Sequence, residues 1–229
     1  MARSLTTVAG VDAYRGGWVG VVLNDGAYAG IHIAERLAEL VARIGTATAI
    51  GVDIPLGLME SGPRGTDTAA RALLGRRRST IFEIAPRPCW EQPHHAAASA
   101  LSRRLMGKGM SIQSWGLKAK LLDANALYDG SGAPLWEVHP ELSFQQMGLQ
   151  FADGTKKTWR GQRARLRVLA AHGIDLPEDL GTAAYVPADD VLDAAAVAWS
   201  ATRIAAGRAY SVPDPPRVNE RGQRVAIWC

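Results

Sequence analysis

Four aspartates stand where residue type and spacing could support chemistry. The tripeptide Gly-Val-Asp occurs twice, each time ending an apolar stretch, and its acids are Asp12 and Asp53. The segment Asp190-Val-Leu-Asp193 adds two acids that share one face of a predicted helix. Adjacent ionised carboxylates repel unless one takes up a proton or a cation bridges them, and hard cations such as Mg²⁺ prefer oxygen ligands. The pattern predicts a Mg²⁺ or Mn²⁺ site whose ligands are Asp12, Asp53, Asp190 and Asp193.

Glu137 is a further candidate, because an acid inside an apolar strand is unusual. Each of these acids also has an ordinary explanation. Asp12 could bond to its own turn, and Glu137 could bond to His139 or to a nearby arginine. Asp189 or Asp190 could cap the helix, where the dipole favours acids in the first turn. With these alternatives open, the predicted catalytic set is Asp12, Asp53, Glu137, Asp190 and Asp193.

These acids need a sheet that brings their strands together. Hydrophobic runs predict strands over 8–12, 18–23, 27–33, 48–53 and 135–139, with a helix over 34–44 before the fourth strand. The strand, helix, strand order implies that the fourth strand pairs in parallel with one of the first three. If it pairs with the first, Asp12 and Asp53 lie together at the carboxyl edge, where open α/β sheets bind ligands.

The rest of the chain is predicted to be mostly helical. Residues at about 57–133 are predicted to form a loop-rich insertion with helices over 66–74 and 117–127, and His94-His95 is placed in a loop. A basic helix over 161–171 follows Lys156 and Lys157, and an alanine-rich helix runs from Pro187 to about 206 before a proline-rich tail. Because no linker marks a boundary, residues 1–229 are predicted to form a single domain that contains the insertion.

Composition narrows the classes of function. The 229 residues are 47% hydrophobic, enough for one sizeable core, and the net charge of +4 permits an anionic partner. The two cysteines have no metal-binding spacing, and no signal-peptide pattern or membrane-length apolar run is visible. We therefore expect a cytoplasmic protein with no membrane partner. No Walker-type phosphate loop and no convincing Ser-His-Asp or Cys-His set competes with the carboxylates.

Carboxylates that converge from several strands and a late helix match a two-metal site for phosphodiester hydrolysis. Segments along nearly the whole chain add a family resemblance. They are Gly10-Val-Asp12 with Arg15-Gly-Gly-Trp18, Asp53-Ile-Pro-Leu-Gly57, Ala70-Arg71 through Leu74-Gly75-Arg76, Glu137-Val-His-Pro-Glu141-Leu-Ser-Phe144, Pro187-Ala-Asp-Asp-Val-Leu-Asp193-Ala and Ala226-Ile-Trp228. Together these features resemble the ribonuclease H-like superfamily, particularly its resolvase-type members. More closely, the chain resembles the family called domain of unknown function 429, whose members are described as predicted ribonuclease H-like nucleases.

The resemblance implies an α/β fold of ribonuclease H-like type. Its mixed five-stranded sheet would have the strand order 3-2-1-4-5, with helices flanking the sheet and a helical insertion after the fourth strand. The chain departs from the family pattern at two positions. A cysteine is expected before Asp67, where the chain has Thr66, and an aromatic residue is expected at Cys229. Neither departure touches the acidic residues.

We therefore expect a metal-dependent nuclease that acts on nucleic acid, with DNA, RNA and branched junctions all open as substrates. The candidate phosphate contacts are Arg15, Lys156, Lys157, Arg160 and Arg163, although a solvated basic face would contain the same residues. One alternative is a nucleic-acid-binding protein of this fold without catalysis. Another is an actin-like phosphotransferase or ATPase, a class that normally needs two such domains. A homodimer is compatible with the sequence.

Overall fold

The computed structural model describes residues 5–130 and 132–229, which fall into two compact units. The first unit contains the chain up to Ile54, together with Ala133–Tyr210 and Trp228–Cys229. The second contains Pro55–Gly132 and Ser211–Ile227. All the strands predicted to carry the acids belong to the first unit.

The sheet of the first unit has five strands. They are β1 (Thr7–Tyr14), β2 (Gly17–Asn24), β3 (Ala27–Ala34), β4 (Ala49–Val52) and β5 (Leu135–Glu137). Their spatial order is β3-β2-β1-β4-β5, with antiparallel pairing in the β1–β2 and β2–β3 pairs and parallel pairing in the β1–β4 and β4–β5 pairs. The predicted mixed α/β sheet and its strand order are therefore confirmed.

Helices occupy most of the remaining described chain. The α-helices are α1 (Leu37–Ile44), α2 (Thr66–Leu74), α3 (Arg87–Trp90), α4 (His95–Met106), α5 (Ile112–Trp115), α6 (Lys118–Gly130), α7 (Pro140–Gln146), α8 (Trp159–Ala171) and α9 (Ala188–Ala205). Short 3₁₀ helices span Gly75–Thr80, Phe151–Asp153 and Gly181–Tyr185. In the described part of the chain, no helix combines the length and the apolar character needed to cross a membrane.

A tight turn connects two of the central strands, and helices on both faces of the sheet bury them. Asp25 and Gly26 join β2 to β3 with φ angles of 48° and 87°, as expected for the Asp-Gly hairpin signal. Nearly every residue of β2 is buried, because helices cover both faces of this part of the sheet. Helix α1 packs on the face that contains Gly20, whereas α9 packs on the face that contains Gly10. The strands therefore lack the alternation of polar and apolar residues that a half-solvated sheet would show.

The second unit differs from the sequence-based expectation in two places. The prediction of a loop at His94-His95 was wrong, because α4 begins at His95 and the His94 side chain accepts a hydrogen bond from the backbone N–H of Ala97 at 3.2 Å. The alanines that follow are strong helix formers, and an imidazole can supply the cap. The proline-rich tail forms strand β6 (Ser211–Val218), paired with β7 (Arg224–Trp228) in a two-stranded sheet. Such a sheet has only edge strands, where proline is tolerated.

Candidate metal centre

The repeated Gly-Val-Asp tripeptides pair with each other in register. Gly10 lies opposite Gly51, and Val11 lies opposite Val52, in the parallel β1–β4 pair. The pairing continues one step further, because the backbone N–H of Asp53 donates to the carbonyl of Val11 at 2.8 Å. Asp12 and Asp53 therefore lie side by side at the carboxyl edge of the sheet.

The two glycines of these tripeptides allow α9 to approach the sheet. A Cβ at Gly10 would lie 2.0 Å from the backbone nitrogen of Ala198, and a Cβ at Gly51 would lie 2.7 Å from the side chain of Val197. Side chains alternate along a strand, so Asp12 shares the α9-facing side of β1 with Gly10. The missing side chains thus let the helix come close enough to bring its own acid, Asp193, to the two strand-end aspartates.

Asp12, Asp53 and Asp193 form a compact group, here called the carboxylate cluster. Each contributes one ligand atom, and these atoms all lie within 4.8 Å of one another. Asp12 is 6% exposed and Asp193 is 1% exposed. Among the described residues, Asp193 Oδ1 is buried without a hydrogen-bond partner. A buried carboxylate oxygen is costly unless it is paired or coordinates a cation, so the cluster fits a hard metal ion.

Crowding and burial shift the acid equilibria of the cluster. Burial, followed by the charges of Asp53 and Asp193, raises the pKa of Asp12 well above its usual range. Burial also raises the pKa of Asp53 to about 7 and that of Asp193 to about 7, although Lys156 opposes both shifts. The fold therefore holds these carboxylates in an environment that disfavours their shared negative charge.

The basic residue Lys156 contacts the carboxylate cluster. Its Nζ donates a short hydrogen bond to Asp193 Oδ2 and lies 3.7 Å from Asp189 Oδ2. Burial lowers the pKa of Lys156, but the ion pair with Asp193 and the charge of Asp12 outweigh burial and raise it. The neighbouring Lys157 places its Nζ 2.6 Å from Asp189 Oδ2. Both lysines, predicted as phosphate contacts, therefore reach acids of α9.

Local hydrogen bonds hold in place the loop before α8 that contains Lys156 and Lys157. Thr158 caps α8, since its Oγ1 accepts from the backbone N–H of Gly161 at 3.1 Å and donates to the Thr155 carbonyl at 2.9 Å. A Cβ at Gly161 would lie 1.9 Å from the same Thr155 carbonyl. Glycine at this position lets the loop fold onto the first turn of α8, and the fold of the loop directs Lys156 towards α9.

Glu141 and Arg165 were not predicted as site residues, although both lie near the carboxylate cluster. Arg165, 1% exposed, donates a short hydrogen bond from Nη2 to Glu141 Oε1, which joins α8 to α7. The charge of Glu141 also contributes to the raised pKa values of Asp53 and Asp193. The available signals were the acid four residues after Glu137, in the segment Glu137-Val-His-Pro-Glu141, and an arginine on the apolar side of α8.

Two of the predicted acids lie outside the group of three. Asp190 is half-buried in the first turn of α9, and burial together with the charge of Asp189 raises its pKa. Helix α9 has Pro187 at its N-cap and no side-chain cap bond, so neither Asp189 nor Asp190 acts as the cap. Glu137 is buried at the end of β5, opposite Val52.

The predicted arginines are exposed. Arg15 lies in the turn between β1 and β2, and Arg160 and Arg163 lie on the solvent side of α8. The guanidinium of Arg163 lies over the ring of Trp159, with Cζ 5.6 Å from the ring centroid. These three side chains are free to meet an anionic ligand, whereas Arg165 on the same helix is committed to Glu141.

Comparisons with known proteins identify the family. A family model described as "Protein of unknown function (DUF429)" matches residues 10–218, which include every residue of the carboxylate cluster. No curated protein and no solved structure matches the chain. Because the family match covers most of the chain, this protein belongs to the DUF429 family.

Proposed function

We propose that this protein is a metal-dependent nuclease with a ribonuclease H-like fold. The observation that supports the proposal is the carboxylate cluster itself, with three ligand atoms within 4.8 Å at the carboxyl edge of a mixed sheet. Carboxylates from two adjacent strands and one helix are suited to an oxygen-binding divalent ion. Exposed arginines on α8 supply positive charge for a phosphate backbone.

Asp12, Asp53 and Asp193 would hold Mg²⁺ or Mn²⁺. An ion held there would supply Lewis-acid chemistry for the oxygens of a phosphodiester. The two-metal form of this chemistry requires further carboxylates, and Asp190 and Glu137 are the proposed sources. Asp190 lies in the first turn of α9, three residues before Asp193. Glu137 pairs with Val52, on the face of the sheet opposite to Gly51 and Asp53, so Glu137 would have to reach the ion around the end of β5.

The chain's own basic residues would perform two separate tasks. Lys156 holds Asp193 in place and offsets part of the charge of the cluster, so the cluster persists before a metal ion binds. Lys157, Arg160, Arg163 and, from the β1–β2 turn, Arg15 would contact substrate phosphates. If Asp193 coordinated a metal ion instead of pairing with Lys156, the ammonium of Lys156 would still be close enough to the cluster to contact a phosphate.

A cleavage panel tests the proposal. The wild type is incubated with single strands, duplexes, RNA–DNA hybrids and four-way junctions, in Mg²⁺, in Mn²⁺ and in chelator. We expect cleavage of at least one substrate with metal and none in chelator. Asp12→Asn should lower the rate at least about 1,000-fold, equivalent to roughly 4 kcal/mol, while circular dichroism shows an intact fold. Asp129→Asn, in the second unit, is the matched control and should keep its activity. Cleavage that survives in chelator would rule out the mechanism.

A second candidate function is nucleic-acid binding without turnover. The observation that favours it is that Lys156 and Lys157 already pair with Asp193 and Asp189. Such pairing offsets carboxylate charge without a metal ion. This candidate predicts binding that weakens with salt but is the same in Mg²⁺ and in chelator. Metal-stimulated cleavage in the panel above would exclude it.

A further inference from the structure

Trp159 is exposed in a way that the other tryptophans are not. Its side chain, at the first position of α8, is 77% exposed, whereas the remaining six tryptophans are buried or half-buried. The Arg163 guanidinium lies against the ring, with Cζ 5.6 Å from the centroid. With the guanidinium over one face of the ring, the other face of this solvent-exposed indole offers a flat apolar surface beside a positive charge.

The charges around Trp159 match a phosphate backbone. Helix α8 contains four arginines and no acidic residue, and Lys157 precedes it. Arg165 is buried in an ion pair with Glu141, but Arg160, Arg163 and Arg167 are exposed. Aromatic rings within a basic surface are the features by which proteins bind single-stranded nucleic acid, since bases stack on the rings and cations neutralise the phosphates.

The ring is also close to the carboxylate cluster along the chain. Lys156, which contacts Asp193, precedes Trp159 by three residues. The Cα atoms of the two residues therefore lie at most about 11 Å apart. A base on Trp159 would therefore belong to a nucleotide only a few positions from a phosphodiester at the cluster. The same loop that orients Lys156 would fix the position of the ring.

We propose that Trp159 is a stacking platform for an unpaired base, so that the protein binds single-stranded or locally unpaired nucleic acid in preference to duplex. This inference rests on the proposed function for its biological meaning, but it concerns binding and can be measured without turnover. Bases inside a duplex are already stacked and paired, so only an unpaired base can present a free face to the indole.

The test is equilibrium binding of fluorescein-labelled 15-nucleotide DNA and RNA single strands and their duplexes, measured by anisotropy in chelator. For the full-length wild type we expect tighter binding of a single strand than of its duplex. Trp159→Ala should weaken single-strand binding about 5- to 100-fold, the usual loss when one stacked base loses its ring, and leave duplex binding unchanged. Trp159→Phe, which keeps a ring, should retain most of the affinity.

Tyr185→Ala is the matched control. Tyr185 is 93% exposed, but residues 173–188 around it include three acidic residues and no lysine or arginine. Its removal should not change binding. Equal losses for Trp159→Ala and Tyr185→Ala, equal losses on single strand and duplex, or a wild type without single-strand preference would each overturn the stacking proposal. Selective binding without cleavage would overturn only the nuclease proposal, and cleavage with unaltered Trp159→Ala binding would overturn only the stacking proposal.

Discussion

Two groups of partly buried charges, one in each unit, differ in their balance. In the second unit, Arg87 and Arg221 face Glu60 and Asp129. Arg87 Nη2 lies 2.9 Å from Asp129 Oδ2, and Arg221 Nε lies 2.7 Å from Glu60 Oε1. Two cations thus meet two carboxylates, and each charge has a partner of opposite sign. Among the described residues of the first unit, the three carboxylates of the carboxylate cluster surround the ammonium of Lys156, which bonds to Asp193.

The difference indicates which group is built for a ligand. A balanced network satisfies its own charges and can serve structure alone. An excess of buried carboxylates opposes folding, as the raised pKa values of Asp12, Asp53 and Asp193 indicate, and strongly perturbed acids are typical of functional sites. The unbalanced group is therefore the one we expect to respond to a metal ion, and the balanced group should be indifferent to it.

The largest expected effect separates the two groups by metal response. Saturating Mg²⁺, at about 100 times its dissociation constant, should stabilise the wild type by roughly 2.7 kcal/mol, a melting shift of about 5–10 °C for a chain of this size. Asp193→Asn should lose most of that shift, and in chelator it should be neutral or stabilising because the negative excess falls. Asp129→Asn should retain the full shift. Differential scanning calorimetry of the three proteins, with Mg²⁺ and with chelator, measures the melting shift of each. Equal shifts in all three would mean that Asp193 is not a ligand.

An intermediate effect is expected in the balanced network. Arg87→Met leaves two carboxylates with less compensation, and Arg87 is largely buried, so the variant should lose roughly 1–2 kcal/mol, or about 3–6 °C. The loss should be the same with and without Mg²⁺. Arg221→Met, at a more exposed side chain, should lose less than about 1 kcal/mol. Urea unfolding checks both values, and a loss that Mg²⁺ reverses would contradict the proposed division of roles.

The pH dependence of the metal-free protein is a separate test of the carboxylate cluster. Asp53 and Asp193 have pKa values of about 7 in the folded state against roughly 4 when unfolded, so between these values the native state holds more protons than the unfolded state. Stability should therefore fall as pH rises from pH 5 to pH 7.5, by up to about 1.4 kcal/mol per pH unit for each of the two carboxyls that keeps its proton only in the native state.

Melting curves in chelator across that pH range measure the slope. Asp53→Asn should flatten it, whereas Asp129→Asn should leave it unchanged. Saturating Mg²⁺ should reverse its sign, because binding requires ionised carboxylates and strengthens as pH rises. A wild type whose metal-free stability increases from pH 5 to pH 7.5 would show that the cluster does not dominate the titration.

The sheet could be predicted from sequence because its signals are local. Two apolar strands with the same Gly-Val-Asp ending, between which lie the β2–β3 hairpin and one helix, favour a parallel pair whose ends match, and Asp25-Gly26 specifies a hairpin. Strand β6 could not be predicted in this way, since three prolines argue against a strand until it is known that both strands of its sheet are edges. The helix at His95 was missed because a histidine cap is not part of the usual start signal.

Sequence alone determined that Asp12 and Asp53 would end neighbouring strands and that acids would open the last helix. Only the tertiary structure decided that Asp193, and not Asp190, completes the group of three, because the two lie roughly 60° apart around α9 and the packing of α9 on Gly10 selects which one faces the strands. The pairing of Lys156 with Asp193 joins residues 37 positions apart. The periodicity of one helix or strand predicts which of its residues share a face. Which residues of another element that face contacts depends on how the two elements pack.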